Sequence, residues 1–509
     1  MSTTLKILPT TAAEWTIAAA SIDADGRAVI DGERADAEVV DGASASAVLS
    51  TVNPATGEEI AEISRCGAGD VDRAVRSSRR AFDQGGWSRA AASDRREILL
   101  RLADAIDKNT TELALLDSLE MGKPVAESSS VDVPGAAATF RWYAEAIDKI
   151  SGEVPATPVG STAFVSREPL GVVAAIVPWN FPLEIAAWKL APALAMGNSV
   201  VLKPAAESSL SALRLGELAL EAGLPPGVLN VVPGPGSIVG EALGLHSDID
   251  ALTFTGSTAV AKRLLGYSGA SNMKRLSLEA GGKSSNLIFS DVDDVALAAT
   301  KAAFGAFYNQ GEVCSANSRI LVQRAIADEF LALFIEAARA YTPGDPLNPA
   351  SGGGALVNEA AAAAVMRAIE QGSRSGTVLL GGNRVAVGGR GAFVEPTIIA
   401  GLAASHPLES TEIFGPLATV TVFDDEEEAI RLANATAFGL AASVWTGNMA
   451  RAHRVAARLI AGTVSVNTVD ALGLSTPFGG FRQSGFGRDL SLHALDNYVG
   501  LKTTWFQHG

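Results

Sequence analysis

Between residues 171 and 280 the chain repeats one pattern: a short apolar run, a Gly- or Pro-bearing turn, then a stretch with helical spacing. The apolar runs fall at 172–177, 199–203, 229–232, 251–255 and 276–279, and the helical stretches at 183–195, 208–222, 237–243 and 257–268. Runs this continuous have no polar face, so they must be buried on both sides. Parallel strands joined by crossover helices do that. The segment therefore predicts an α/β domain of dinucleotide-binding type. The alternation resumes at Ser285 and continues to about Gly480, which predicts a second α/β domain. At 509 residues the chain exceeds one ordinary domain.

Outside this core the signals are shorter. Residues 12–22 read as a helix and 27–30 as an edge strand. Helices are predicted at 70–83, from Ser93 as N-cap, at 109–119 and at 134–150. An exposed strand is predicted at 162–167. Residues 497–506 read as a last strand that could join another subunit's sheet.

Charge narrows the partners. The net charge is −16, from 40 basic and 56 acidic residues, with no basic cluster. Nucleic-acid binding needs a basic surface and is not expected. No secretory signal and no uninterrupted apolar run of membrane-spanning length is visible, so no membrane is expected. Cys66 and Cys314 are far apart and the five histidines are scattered, so neither disulfide nor metal site is predicted. A reduced, cytoplasmic setting fits.

Cys314 lies in Asn309-Gln310-Gly311-Glu312-Val313-Cys314-Ser315, between a predicted helix (294–308) and a strand (319–322). A lone cysteine is more often a packing residue, and a free thiol needs a base to become a nucleophile. Several turns could supply partners. Pro178-Trp179-Asn180-Phe181-Pro182 holds an asparagine between two prolines, as a donor or a plain turn residue. Glu279 ends an apolar strand before two glycines, as a base or a loop anchor. Residues 232–240 resemble a dinucleotide fingerprint with one residue too many before the last glycine. Gly256-Ser257-Thr258 is better placed, at a strand end where helix amides could meet phosphate, although Ser257 could equally be only an N-cap.

The set and order of these motifs decide more than any one. Pro-Trp-Asn-Phe-Pro, Lys203-Pro204, Phe-Thr-Gly-Ser-Thr, Leu-Glu-Ala-Gly-Gly-Lys, Asn-Gln-Gly-Glu-Val-Cys, Glu412-Ile413-Phe414-Gly415-Pro416 and Pro477-Phe478-Gly479-Gly480 occur in this succession. Together, over about residues 52–506, they resemble the aldehyde dehydrogenase superfamily. Residues 141–149, 271–275 and 487–495 are similar to its γ-glutamyl-γ-aminobutyraldehyde and aminoaldehyde branch. The resemblance implies an α/β aldehyde dehydrogenase-like fold: an N-terminal arm (1–50), a Rossmann-like cofactor domain (51–150 and 170–281), a catalytic domain (282–481) and a small β oligomerisation element (151–169 and 482–509). A homodimer or homotetramer is expected.

The implied activity is NAD- or NADP-dependent oxidation of an aldehyde to a carboxylic acid through a cysteine thiohemiacetal and thioester. Cys314 would be the nucleophile, Glu279 the general base, and Asn180 with the Cys314 backbone N–H the oxyanion donors. Val177, Pro178, Trp179, Lys203, Ala206, Gly256, Ser257, Glu412 and Phe414 would hold the cofactor. Phe181, Glu184, Trp188, Tyr308, Ser315, Asp470, Leu472 and Phe478 would meet the substrate. Many NAD-using relatives carry glutamate where Ala206 stands; its absence leaves room for a 2′-phosphate, so NADP is expected to be accepted. Leu472 and Leu474 favour an apolar or aromatic aldehyde, whereas Glu184 and Asp470 favour an aminoaldehyde. The alternatives are a CoA-acylating semialdehyde dehydrogenase, which generally lacks a base like Glu279, and a non-catalytic relative.

Overall fold

The computed structural model describes residues 8–38 and 46–508. Two sheets organise it. The first has eight strands, in the order Glu33–Ala35, Ala28–Ile30, Leu229–Val231, Ser199–Lys203, Val172–Ile176, Ala251–Gly256, Arg275–Ala280, Gly485–Phe486. The five central strands are parallel, and the flanking ones run antiparallel. The apolar runs are buried on both faces. Val172, Ala174 and Ile176 pack into one core cluster, and Val173 and Ala175 pack into another.

The strand order makes a switch point. From Val172–Ile176 the chain winds outward to Leu229–Val231, then returns to place Ala251–Gly256 on the other side of the starting strand. Crossovers leaving neighbouring strands in opposite directions open a crevice at their carboxyl ends, where α/β sheets bind ligands. Residues 177–181 and 256–258 lie at that crevice.

The second sheet has seven strands, in the order Thr377–Leu380, Thr397–Ala400, Leu417–Phe423, Arg319–Gln323, Ser285–Ile288, Ala441–Trp445, Thr463–Val466. All pairs but the first are parallel. Only residues 281–284 separate the last parallel strand of the first sheet from Ser285–Ile288 in the second. The carboxyl end of one sheet thus meets the amino end of the other. Away from both, Ser161–Pro169 and Val499–Gln507 form a two-stranded antiparallel ribbon.

Three local expectations need correction. Ala28–Ile30 is not an edge strand, because Glu33–Ala35 lies outside it. Ser93 is not an N-cap: the helix Ala92–Lys108 starts after Ala91, and the Ser93 hydroxyl donates to Asp94 instead. The helix expected at 237–243 is a π-turn, Gly236–Gly240, running into Glu241–Leu245. The C-terminal strand pairs along one edge with this chain's own Ser161–Pro169.

Arg319 fastens the cysteine turn to the second sheet. It is almost fully buried; its Nε lies 3.3 Å from Glu409, and its guanidinium donates to Ser285 Oγ and to the Leu432 and Ala433 carbonyls. Removing one partner of a buried pair strands the other charge, which typically costs about 3–5 kcal/mol. Arg319→Ala should therefore lower the denaturant midpoint by that order. Arg324→Ala, at an exposed pair with Asp424, should leave it essentially in place.

Candidate active site

The helix Val295–Phe307, N-capped by Asp294, carries the chain to the cysteine turn. Asn309 and Gln310 then take left-handed backbone conformations, φ 48° and 58°. Gly311 follows at φ 70°, and a Cβ there would fall 2.4 Å from the Gly415 carbonyl oxygen. Only glycine fits that approach. Buried polar groups lock the turn. Asn309 Nδ2 donates to the Glu312 carbonyl, and Glu312 Oε1 accepts from the Val357 amide at 3.1 Å.

Asn180 reaches the same turn from the first sheet. Its Nδ2 donates to the Glu312 carbonyl at 2.8 Å, two residues before Cys314, and its carbonyl accepts from Asn309 Nδ2. Asn180, Glu279 and Cys314 line one cavity of about 220 Å³, together with Pro178, Trp179, Gly256, Ser257, Glu412 and Phe414. All twelve catalytic and cofactor positions named from sequence line this cavity or the next one.

The electrostatics of this cavity are those of a dry pocket. Burial first, then the Glu279, Asp470 and Glu412 charges, push the Cys314 thiol well above its usual range. Burial also pushes Glu279 well above the carboxylate range, opposed by Lys189. Glu279 Oε1 is buried with no partner among the described residues. Both shifts run toward the neutral form, so ionising the thiol needs a proton acceptor in the same pocket, a role Glu279 fills in its ionised form.

A second cavity, of about 530 Å³, opens from the first along the crevice. Val177, Lys203, Ala206 and Glu207 form one wall. The turn Pro235-Gly236-Ser237 and the face of the helix Thr258–Ala270 form the other. Ser257 N-caps that helix, its hydroxyl accepting from the Val260 amide at 3.4 Å. The N-cap and phosphate readings of Ser257 are thus compatible, since the other leading amides face the cavity mouth. The two cavities share Pro178, Trp179, Gly256 and Ser257, an elongated path from the thiol to Lys203. That shape and donor set fit a nicotinamide dinucleotide. Glu412 accepts from the Gly282 amide at 3.0 Å, and a Cβ on Gly281 would meet its carboxylate at 2.0 Å, so Gly281 must be glycine for Glu412 to lie there. Trp179 and Phe414 meet edge to face at 5.3 Å.

The remaining substrate candidates separate into two groups. Phe181 stacks on Tyr308 at 6.4 Å, and Trp188 meets Phe478 edge to face at 5.6 Å. Leu472 stays exposed. The Ser315 hydroxyl does not point freely at a substrate, because it donates to Asp470 at 2.7 Å. Glu184 is half-buried, and its carboxyl is pushed up to about 8, by burial and then by Asp132. Asp132 and Asp117 act on it with Lys123 as the cation, paired to Asp132 and 4.0 Å over the Phe181 ring, and Glu127 acts on the same Lys123–Asp132 pair. These four, and the buried Lys189–Asp489 pair beside Glu279, went unnoticed in the sequence. Their spacing carries no motif; only the run of acids around an apolar helix start could have drawn attention to them.

Among the described residues no group of three or more His, Cys, Asp or Glu could hold a metal ion, and no helix is long and apolar enough to cross a membrane. Comparison with known proteins agrees with the geometry. Residues 40–504 match the model of the aldehyde dehydrogenase family. The chain is 48% identical over 493 residues to the NADP/NAD-dependent aldehyde dehydrogenase PuuC of Escherichia coli, covering 97% of this chain and 98% of that one. Among solved structures, indole-3-acetaldehyde dehydrogenase of P. syringae, in complex with NAD+ and IAA, superposes with a TM-score of 0.95 at 49% identity. It spans 98% of this chain and 100% of its own. The γ-glutamyl-γ-aminobutyraldehyde dehydrogenase of Burkholderia cenocepacia matches with the same TM-score and coverage at 48% identity. A thiol, a carboxyl and an amide converging at the end of a dinucleotide-shaped crevice, in a chain this similar throughout, make it a member of the aldehyde dehydrogenase family, an NAD(P)-dependent oxidiser of aldehydes.

Proposed function

We propose that the substrate is an aldehyde bearing a cationic group, an aminoaldehyde, and that Cys314, Glu279 and Asn180 carry its oxidation. The observation that carries the substrate reading is the cluster of buried and half-buried acids beside Phe181 and Tyr308. Asp117, Glu127, Asp132 and Glu184 outnumber the single buried Lys123. Several of their oxygens, on Asp117, Asp132 and Glu127, lack any partner among the described residues. Unpaired buried charge is costly, and a substrate ammonium offsets it. The aromatic pair would take the methylene stem of the substrate.

The chemistry follows from the cavity. Glu279 accepts the thiol proton as Cys314 Sγ bonds to the aldehyde carbon. The new oxyanion lies between the Cys314 backbone N–H and Asn180 Nδ2, whose second hydrogen is not spent on Glu312. Losing one such donor typically costs about a hundred- to thousandfold in rate. When bound, the nicotinamide ring supplies the hydride acceptor that turns the thiohemiacetal into a thioester. Glu279 releases the thiol proton to solvent, then takes a proton from the water that attacks the thioester, and Cys314 leaves as thiolate. Glu412 would hold the nicotinamide-side ribose and Lys203 the adenine-side ribose, with Ser257 and its neighbours at the pyrophosphate. Glu279 also makes water, rather than CoA, the acyl acceptor.

In the domain division, the cofactor domain (51–150 and 170–281) takes most of the first sheet and the catalytic domain (282–481) the second, with 151–169 and 482–509, which hold the ribbon, as the oligomerisation element. Leu501, Trp505, Phe506 and Phe164 stand exposed on that ribbon, as a dimer or tetramer contact would require. Two unpaired cysteines suit a cytoplasmic setting.

Glu279→Gln should stop both half-reactions at neutral pH. At a pH high enough to ionise Cys314 without Glu279, intact-mass measurement with aldehyde and cofactor should show an acyl adduct on Cys314 that the variant does not hydrolyse. Full turnover by the variant at neutral pH would reassign the base. Burial holds Glu184 and Glu127 near 8, so they are partly neutral at pH 7 and become anionic as pH rises. The KM for an aminoaldehyde should therefore fall between pH 6.5 and 9, and that for an apolar aldehyde of equal length should not follow. Glu184→Gln should raise the aminoaldehyde KM by roughly tenfold or more. An aromatic aldehyde preferred over every aminoaldehyde in that panel would favour the apolar reading instead. Ala206→Glu should depress NADP-linked kcat/KM relative to NAD by at least roughly tenfold, through repulsion of the 2′-phosphate.

A further inference from the structure

The helix Thr258–Ala270 turns one face to the adenosine cavity, through Val260, Arg263, Leu264 and Tyr267. Those positions are i, i+3, i+4 and i+7, a single stripe on a helix. Three of the four suit an adenine ring; Arg263 does not belong to an apolar wall. Its neighbour Lys262 faces elsewhere and donates to Gln483 Oε1 at 3.1 Å. The Arg263 guanidinium has no hydrogen bond or ion pair among the described residues, whereas Arg214, Arg319 and Arg451 are each held by carboxylates.

We propose that Arg263 is the second cation of the adenosine site, and that it admits a cofactor carrying a 2′-phosphate. The inference rests on the reading of this cavity as the adenosine half of an NAD(P) site. A dianion there needs more than Lys203. Lys203 Nζ already donates to the Pro204 carbonyl at 2.7 Å, and burial lowers its pKa to about 8. Glu207, exposed on the same wall, adds a like charge to a phosphate. Glu241, on the facing wall, accepts from the Tyr267 hydroxyl. Ala206 removes a steric and electrostatic block but contributes no attraction. Arg263 supplies it: a guanidinium is always charged, and its planar fork suits phosphate oxygens.

Helix geometry puts it at the right depth. Arg263 lies six residues beyond Ser257, about 9 Å along the axis at 1.5 Å per residue. That is well past the helix start, where a pyrophosphate would sit, and within the cavity that Lys203 also lines. Without a 2′-phosphate the same side chain can lie over the adenine face, a contact NAD and NADP share equally. The two roles give different results on substitution.

The test is calorimetric titration of the purified enzyme with 5′-AMP and with 2′,5′-ADP, which differ only in the 2′-phosphate. Wild type should bind 2′,5′-ADP more tightly. Arg263→Ala should weaken 2′,5′-ADP at least tenfold more than 5′-AMP, and Arg263→Lys should restore part of the difference. The NADP/NAD ratio of kcat/KM should fall in parallel. Equal weakening of both nucleotides, or no weakening of either, overturns the proposal while leaving the Ala206 reading intact. A wild type that gains nothing from the 2′-phosphate overturns both.

Discussion

One hydrogen bond joins the two halves of the active site. Asn180 sits at the end of the first parallel sheet, and its amide is tied to the Glu312 carbonyl in the turn that opens the second. The bond is buried, so breaking it without a replacement would leave both groups unpaired. It therefore fixes how far the cysteine turn lies from the switch-point crevice. Asn309 returns a bond to the Asn180 carbonyl, so the connection is reciprocal. Gly281 and Gly282 act in the same place from the other strand end, letting Glu412 approach the backbone beside Glu279. Without these close approaches the thiol, the carboxyl and the amide would belong to separate surfaces.

The same closeness sets the chemistry. Burial withdraws several ionisable groups from bulk water, so each is pushed toward its neutral form. For Cys314 and Glu279 both shifts disfavour the charged state. For Glu184 and Glu127 it leaves carboxylates that ionise fully only at higher pH or against a cation. The second cavity differs. It is larger, about 530 Å³ against 220 Å³, and the charged side chains of Lys203, Glu207, Glu241 and Arg263 line it.

Much of this was legible beforehand. The strand–helix alternation of residues 171–280 appeared as written because buried parallel strands leave an uninterrupted apolar signature. Cys314, Glu279, Asn180, Lys203 and Ser257 were legible because each sits in a Gly- or Pro-marked turn whose backbone demands are local. Ser93 misled because its hydroxyl had a nearer acceptor in Asp94. Ala28–Ile30 was misplaced because a three-residue strand does not say whether another will flank it.

The sequence by itself determined the two parallel sheets, the family to which the chain belongs and the thiol–carboxyl–amide set, all written in short segments with strong local constraints. Only the tertiary structure decided that Asp132 and Asp117 come near Glu184, that Ser315 is spent on Asp470, and that Arg263 and Lys203 line one cavity. Those pairings join residues with no fixed spacing, and a charge's effect depends on its distance and its access to water. Both are properties of the packed chain.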